Sequence, residues 1–288
     1  MNLRAKIPWQ VKLVVKLVLS RIPVGYNFWR YLGLFKHGLM HQPAYAYKVF
    51  KTHFDRVVFR KRNGDFVALE LGPGDSLLFA MLAYAFGAST SYLIDVGHFA
   101  RDDLKPYRLM ANLLTEKGLA IPKMGGMHSL GELLVSCGAQ YLTQGLASLR
   151  NIPDESVDFI VSQAVLEHVR RDDFLNMMHE LRRVIRSDGV CSHRVDLKDH
   201  LGEALNNLRF PEHIWESDLI ANSGFYTNRI RFGEMLALFR EARFDVKVID
   251  VERWDRLPTP RRKLSSPFKQ FHDEELCVAG FDVVLKPA

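Results

Sequence analysis

One stretch, residues 67–76, constrains the fold of this chain more than any other. Its sequence is Val-Ala-Leu-Glu-Leu-Gly-Pro-Gly-Asp-Ser, an apolar run that contains an acid and ends in a Gly-x-Gly turn. Glycine adopts positive φ angles readily and lets a ligand approach the backbone, and a helix after such a turn presents unpaired N–H groups. The stretch therefore predicts a buried strand, a ligand-binding loop and a helix, with Asp75 or Ser76 as the N-cap.

Two later segments extend this pattern. Residues 91–94 form a strand-like run that ends in Asp95, about twenty residues past the loop, where a Rossmann-like unit places the acid that binds ribose hydroxyls. Residues 151–163 contain a Pro-Asp-Glu-Ser-Val-Asp turn and another strand-like run, and Leu-Glu-His follows at 166–168. The third glycine of the dinucleotide fingerprint is absent, because Leu77 stands in its place.

In combination these segments resemble the class I S-adenosylmethionine-dependent methyltransferases, closely over residues 64–196 and loosely over the C-terminal end. The resemblance implies an α/β fold with a doubly wound seven-stranded sheet. That sheet would be mostly parallel with an antiparallel C-terminal strand, and helices would cover both faces. The resemblance also implies S-adenosyl-L-methionine as the cofactor.

The same resemblance places the cofactor on particular residues. Glu70 suits the methionine ammonium, Asp95 the ribose hydroxyls and Gln163 the methyl-bearing end. Many methyltransferases of this class have an acid after the third strand, and its carboxylate accepts a hydrogen bond from the adenine amine. This chain has Gly-Leu-Ala-Ser at 145–148 instead, so we expect backbone and apolar contacts to adenine there. The predicted cofactor-binding residues are Glu70, Gly72, Pro73, Gly74, Asp95, Ala147, Ser148 and Gln163.

Charge divides the chain into two parts. The net charge is +6, yet residues 1–54 contain nine bases and no acid, which leaves 30 bases against 33 acids in the remainder. We expect a basic, aromatic-rich helical extension over 1–64 and an S-adenosylmethionine-binding methyltransferase domain over 65–288, with cap insertions at about 97–126 and 197–230. Three cysteines without Cys-x-x-Cys spacing favour a reducing, cytoplasmic setting.

Residues 9–24 predict an amphipathic helix with a broad apolar face. Lys12, Lys16 and Arg21 interrupt it, so it lacks the run of about eighteen apolar residues that spans a membrane. Such a helix could pack across the core, or it could lie on an anionic membrane surface, a peripheral contact through residues 1–24. Nucleic-acid binding is not expected, because no recognition module accompanies the charge.

The acceptor is expected where the fourth and fifth strands end. A general base beside an acceptor oxygen assists methyl transfer. The candidate catalytic residues are Asp196, Asp199, His200 and His168, whereas His193, inside the fifth strand, is expected to be a core histidine. Some of these side chains, with His213, could instead bind a divalent metal, but no spacing matches a metal motif, and no metal site is predicted.

These observations predict a methyltransferase (EC 2.1.1.-) that methylates an oxygen of a saccharide, a lipid-linked glycan or another small metabolite. The long insertions favour a bounded acceptor. One alternative is an inactive S-adenosylmethionine-binding scaffold or regulator. A protein or nucleic-acid methyltransferase is disfavoured because the chain has no Asn-Pro-Pro-Tyr-like motif. An oxidoreductase is disfavoured because Glu70 and Asp75 would repel the pyrophosphate of a nicotinamide dinucleotide.

Overall fold

The structure, a computed structural model, describes residues 8–19 and 38–288. The end of the predicted amphipathic helix, at 20–24, and the aromatic-rich segment that follows it to residue 37 lie outside the described residues. No helix in the described ranges is both long enough and apolar enough to cross a bilayer.

Seven strands form one sheet. They are β1 (Phe66–Leu71), β2 (Ala88–Ile94), β3 (Ala139–Leu142), β4 (Val157–Gln163), β5 (Ile185–Asp196), β6 (Phe244–Arg253) and β7 (Val278–Pro287). Their spatial order is β3-β2-β1-β4-β5-β7-β6, and β7 runs antiparallel to both of its neighbours. The predicted fold class is therefore confirmed. The strand order reverses between β1 and β4, which is where a doubly wound sheet opens a ligand crevice beyond its carboxyl edge.

Helices cover both faces of the sheet and extend beyond its carboxyl edge. The described helices are α1 (Trp9–Leu19), α2 (Pro43–Asp55), α3 (Leu78–Ala85), α4 (Lys105–Glu116), α5 (Leu130–Ser136), α6 (Leu146–Arg150), α7 (Arg171–Val184), α8 (Glu212–Trp215), α9 (Asp218–Ala221), α10 (Phe232–Glu241), α11 (Ser266–Lys269) and α12 (Asp273–Leu276). Short 3-10 helices occupy Leu166–His168, Asn206–Arg209 and Arg261–Lys263.

Two hydrophobic clusters lie on opposite faces of the sheet. One contains apolar side chains of α2 to α5, among them Phe50, Met81 and Tyr107. The other contains side chains of α6, α7 and α10, such as Phe174 and Phe239. Because α4 packs against α2 and α3, the helix of the first predicted insertion is part of this core.

The second insertion forms a separate layer at the carboxyl edge of the sheet. Its buried side chains Leu201, Trp215, Ile220, Phe225 and Tyr226 make a cluster of their own. Trp9, Leu13 and Leu17 of α1 pack against this cluster. The N-terminal helix therefore contacts the second insertion, and it does not lie across the core.

The start of α3 differs from the prediction. Its N-cap is Leu77, and neither Asp75 nor Ser76 caps it. The Leu77 N–H donates instead to the hydroxyl of Tyr107, which α4 supplies at 3.0 Å. Asp75 is buried, and its carboxylate forms an ion pair with Arg101 at 3.3 Å.

The sequence predicts Asp172 or Asp173 as the N-cap of α7, and this prediction is also wrong. The N-cap is Arg170, whose guanidinium bonds to Asp218 and to the carbonyl of Glu216 in the second insertion. Asp172 and Asp173 lie inside the first turn, where their charges still favour the positive end of the helix dipole.

The fifth strand begins earlier than expected. We predict a strand from Gly189, with α7 extending to about residue 188, but α7 ends at Val184 and β5 begins at Ile185. Ile185 pairs with Val157, and a shift in register carries the next pairs to Phe159 and Val190. Residues 186–189 therefore belong to the irregular start of a strand.

Candidate active site

The loop after β1 has the backbone that a bound ligand requires. Gly72 and Gly74 have φ angles of +65° and +64°, which glycine alone adopts without strain. A Cβ on Gly72 would approach Cγ2 of Val165 to 2.6 Å. Val165 follows β4, so the β1 loop and the segment after β4 are in close contact at the switch point of the sheet.

Asp95 stands beside this loop. Its Oδ2 accepts from the Gly74 N–H at 3.0 Å, and its Oδ1 accepts from the N–H of Val96 at 2.8 Å. The backbone carbonyl of Asp95 accepts from Gly145 at 2.8 Å. The carboxylate thus connects the ends of β1 and β2. Asp95 is also the acid that the resemblance expects to bind the ribose hydroxyls.

Glu70 is the buried carboxylate near the end of β1. The residue is buried, and its Oε2 has no hydrogen-bond partner among the described residues. Burial raises the pKa of its carboxyl well above the usual value, and repulsion from Asp95 adds to the rise. A bound ammonium would reverse this cost by giving the carboxylate an opposite charge and a donor. The site therefore fits the methionine ammonium of S-adenosylmethionine.

The predicted adenine residues lie next to Asp95. Gly145 is the N-cap of α6, with φ +53°, and Ala147 is exposed in the first turn. The hydroxyl of Ser148 accepts from the N–H of Gln144 at 3.0 Å, so its side chain braces its own loop. Of the two predicted residues, Ala147 presents the more open surface.

Gln163, at the end of β4, has a partner that the sequence analysis missed. The Nε2 of His53 lies 3.0 Å from its Oε1, and the Nδ1 of His53 lies 2.8 Å from the hydroxyl of Ser192. Burial lowers the pKa of His53 to about 4, so the ring is neutral, with Nε2–H donating and Nδ1 accepting. The helical period was an available signal, because Ala46, Phe50 and His53 lie on one buried stripe of α2.

His168 and His200 come together, as their candidate roles require. Nδ1 of His168 lies 2.7 Å from the carbonyl of Tyr226 and must donate to it. Nε2 of His168 therefore accepts from Nε2–H of His200 at 3.1 Å, which leaves the lone pair of His200 on Nδ1. The pKa of His200 is lowered. The main cause is the packing of protein atoms around the ring, which removes water and disfavours its charged form, and electrostatic repulsion from His168 and Lys16 adds to this.

The two aspartates have different surroundings. The buried Asp199 carboxylate accepts from the N–H groups of Leu201 (2.8 Å), Gly202 (2.6 Å) and Asn206 (2.6 Å), and from the Asn206 amide at 3.0 Å. These bonds give Asp199 a role in ordering the start of the second insertion. Asp196 is half-buried, accepts from the N–H of Lys198 at 3.0 Å, and has a pKa raised by burial.

Two buried groups near these residues hold unpaired polar atoms. The carboxyl oxygens of Glu167 have no well-formed hydrogen bond among the described residues, and burial raises the pKa of this group well above its usual value, although nearby backbone groups of Glu167 and Asp196 lower it. His193 is fully buried, with Nδ1 at 2.8 Å from the Ser162 hydroxyl, as expected of a core histidine. Burial lowers its pKa to about 3.

Within residues 8–19 and 38–288, no group of three or more His, Cys, Asp or Glu is arranged to hold a metal ion.

One family model matches a part of this chain. Residues 127–192 match the family model described as a methyltransferase domain. This segment contains β3, β4 and most of β5, and therefore both Gln163 and His168. The match and the fold confirm the resemblance to class I methyltransferases and support S-adenosylmethionine as the cofactor. No curated protein matches the chain.

Three of the solved structures that this chain matches at low identity are the following. The YcgJ protein of Bacillus subtilis is 14% identical, with 85% of this chain and 99% of that chain covered and a TM-score of 0.45. An S-adenosylmethionine-dependent methyltransferase from Mesorhizobium loti is 15% identical, with coverage of 78% and 93% and a TM-score of 0.42. Phosphoethanolamine N-methyltransferase 2 of Haemonchus contortus, in complex with S-adenosyl-L-methionine, is 11% identical, with coverage of 84% and 53% and a TM-score of 0.45.

Proposed function

We propose that this chain is a cytoplasmic S-adenosylmethionine-dependent methyltransferase acting on an oxygen of a small acceptor, such as a saccharide, a lipid-linked glycan or another metabolite. The observation that carries the proposal is the turn at 165–168. Val165 contacts Gly72 of the predicted cofactor loop, and His168, bonded through its N–H to the Val165 carbonyl, contacts His200. One turn thus links the predicted cofactor loop to the contact between the imidazoles of His168 and His200.

Each residue has a defined task in this scheme. S-adenosylmethionine supplies an electrophilic methyl group when bound. Glu70 balances the ammonium, Asp95 holds the ribose hydroxyls, and Gln163, oriented by His53, lies toward the methyl-bearing end. Nδ1 of His200 would take the proton of the acceptor hydroxyl as the methyl carbon forms its bond to that oxygen and its bond to sulfur breaks, and His168 would fix the tautomer. Asp196 offers a further polar contact to the acceptor.

The domain division supports the same scheme. The extension of residues 1–64 supplies α1 to the second insertion and α2 to the core, while 65–288 contains the sheet and the candidate site. The second insertion closes the carboxyl edge beside His200, which favours an acceptor of limited size. The first insertion contributes α4 to the core, and only its remaining loops are left to border the cleft.

The test is methyl transfer from labelled S-adenosylmethionine into an extract of the host, followed by partition of the label between organic and aqueous phases. His200→Ala should lower turnover by about 10²- to 10⁴-fold while S-adenosylhomocysteine binding stays unchanged. His179→Ala is the matched control, because His179 is exposed on α7. Full turnover by His200→Ala would remove His200 as the base, and absence of any labelled product would contradict the proposed activity.

A further inference from the structure

The outer face of α1 is unusually apolar for a surface helix. The inner face packs against the second insertion, yet four valines on the other side are exposed by 44% to 58%. Four of the thirteen large apolar side chains exposed in the described part of the chain lie on α1: Val11, Val14, Val15 and Val18.

A basic segment lies next to this apolar surface. Residues 256–272 contain five bases and no acid, and Arg256, Arg262, Lys263 and Lys269 are exposed. The segment is attached to the 3-10 helix Asn206–Arg209 by a bond from the Ser265 N–H to the Leu208 carbonyl at 2.9 Å. The Arg209 guanidinium in turn lies over the ring of Trp9, 4.9 Å from its centroid. The basic segment is therefore connected to α1 through the 3-10 helix Asn206–Arg209.

We propose that these two features form a docking surface for an anionic lipid bilayer, with the valine face of α1 entering the interface and residues 256–269 contacting the headgroups. Apolar side chains flanked by bases, with no acid on α1 or in 256–269, match a surface that is apolar within and negative at its boundary. A protein partner would not require the charge to have one sign on both elements.

The geometry also sets what docking would bring to the enzyme. Nζ of Lys16 donates to the carbonyl of His200 at 3.2 Å and lies over the Phe225 ring. The docked helix would thus be fixed directly to the candidate acceptor end. A lipid-borne acceptor follows from this placement and rests on the proposed function, whereas docking itself does not.

The test is flotation of the full chain with vesicles of phosphatidylcholine alone or with phosphatidylserine. We expect binding only to the anionic vesicles, and weaker binding at high salt. Val14→Asp with Val18→Asp should lower partitioning at least about tenfold, because a charge then enters the apolar interface. Arg262→Ala with Lys263→Ala should lower it roughly fivefold for each charge at low ionic strength.

Matched controls are available on other elements. Val58 and Val135 are exposed by 77% and 80%, so Val58→Asp with Val135→Asp adds the same charge elsewhere and should leave binding unchanged. Failure of the unaltered chain to bind anionic vesicles would overturn the proposal, as would equal binding by the α1 variant. Concentration-dependent self-association that is lost in the α1 variant, without vesicle binding, would assign the face to a second copy of this chain. Methyl transfer to a soluble acceptor, measured in parallel, separates failure of docking from failure of the proposed function.

Discussion

His53 gives this protein a calculable sensitivity to acid. The ring is 1% exposed and bonded on both sides, and burial is the main reason for its lowered pKa. Arg56 also lowers the pKa, whereas the hydrogen bond to Gln163 and the charge of Asp282 raise it. Since the native pKa lies below that of the unfolded chain, the unfolded state binds more protons between the two values. Stability is therefore full above the unfolded pKa and is lost as the pH falls.

The size of the effect follows from the two pKa values. The native value is about 4 and the reference value is 6.5. Linkage then lowers the free energy of unfolding by about 2 kcal/mol at about pH 5, and by about 3 kcal/mol once the pH is below both pKa values. Such a loss is a large share of the roughly 5–15 kcal/mol that stabilises a typical domain.

The assay is urea unfolding of the unaltered chain and of His53→Gln at about pH 7.5 and about pH 5. Glutamine can still bond to Gln163 and Ser192 but does not titrate, so the variant should lose about 2 kcal/mol less on acidification. His193 titrates in both proteins, and because burial is the main cause of its lowered pKa, with a smaller effect from His53, most of its contribution is common to both. His179→Gln, at an exposed position on α7, should behave like the unaltered chain. Equal losses for the unaltered chain and His53→Gln would refute the assignment of a neutral, buried His53.

Three further substitutions test the candidate site and its surroundings. Gly72→Ala should weaken S-adenosylhomocysteine binding, measured by calorimetry, at least about tenfold, because its Cβ meets Val165 and φ is positive. Adding Val165→Ala should restore only part of the affinity, and unchanged binding by the single variant would contradict the contact. Glu216→Ala should lower the free energy of unfolding by about 3 kcal/mol, since it leaves the buried Arg229 guanidinium without its carboxylate; a loss below that of an exposed ion pair would contradict this. Asp199→Ala should cost about 3 kcal/mol in chemical denaturation, because four donors lose one acceptor, and a melting curve like that of the unaltered chain would show that the loop orders without it.

The sheet and the cofactor loop were predictable because their signals are local. An apolar run, an acid and Gly-x-Gly in residues 67–76 contain most of what defines β1 and its loop, and Asp95 marks the end of β2 in the same way. The family resemblance then supplied the seven-stranded sheet with its antiparallel C-terminal strand. Local sequence therefore sufficed wherever neighbours in the chain are also partners in the structure.

The remaining features depend on residues far apart in the sequence. The start of α3 is set by the hydroxyl of Tyr107, 30 residues beyond Leu77. His53 finds its partners 110 and 139 residues away, so the stripe on α2 could reveal that it is buried but not what it bonds to. Asp199 was chosen for its place at the end of β5, yet the donors that surround its carboxylate come from the turn that follows. Whether Asp199 also contributes to catalysis stays a prediction.

The contact between α1 and the second insertion has a consequence for synthesis of the chain. Lys16 and its acceptor, His200, are 184 residues apart. At roughly 5–20 residues per second, the ribosome needs on the order of 10–40 s to deliver the second half of that pair. Throughout this interval the inner apolar side of α1 lacks the second insertion that covers it, while the outer valines are exposed as they are in the folded chain. The nascent helix is therefore accessible to chaperones and to a membrane before the second insertion has been synthesised. Because α1 is synthesised first, any such contact precedes its contact with His200.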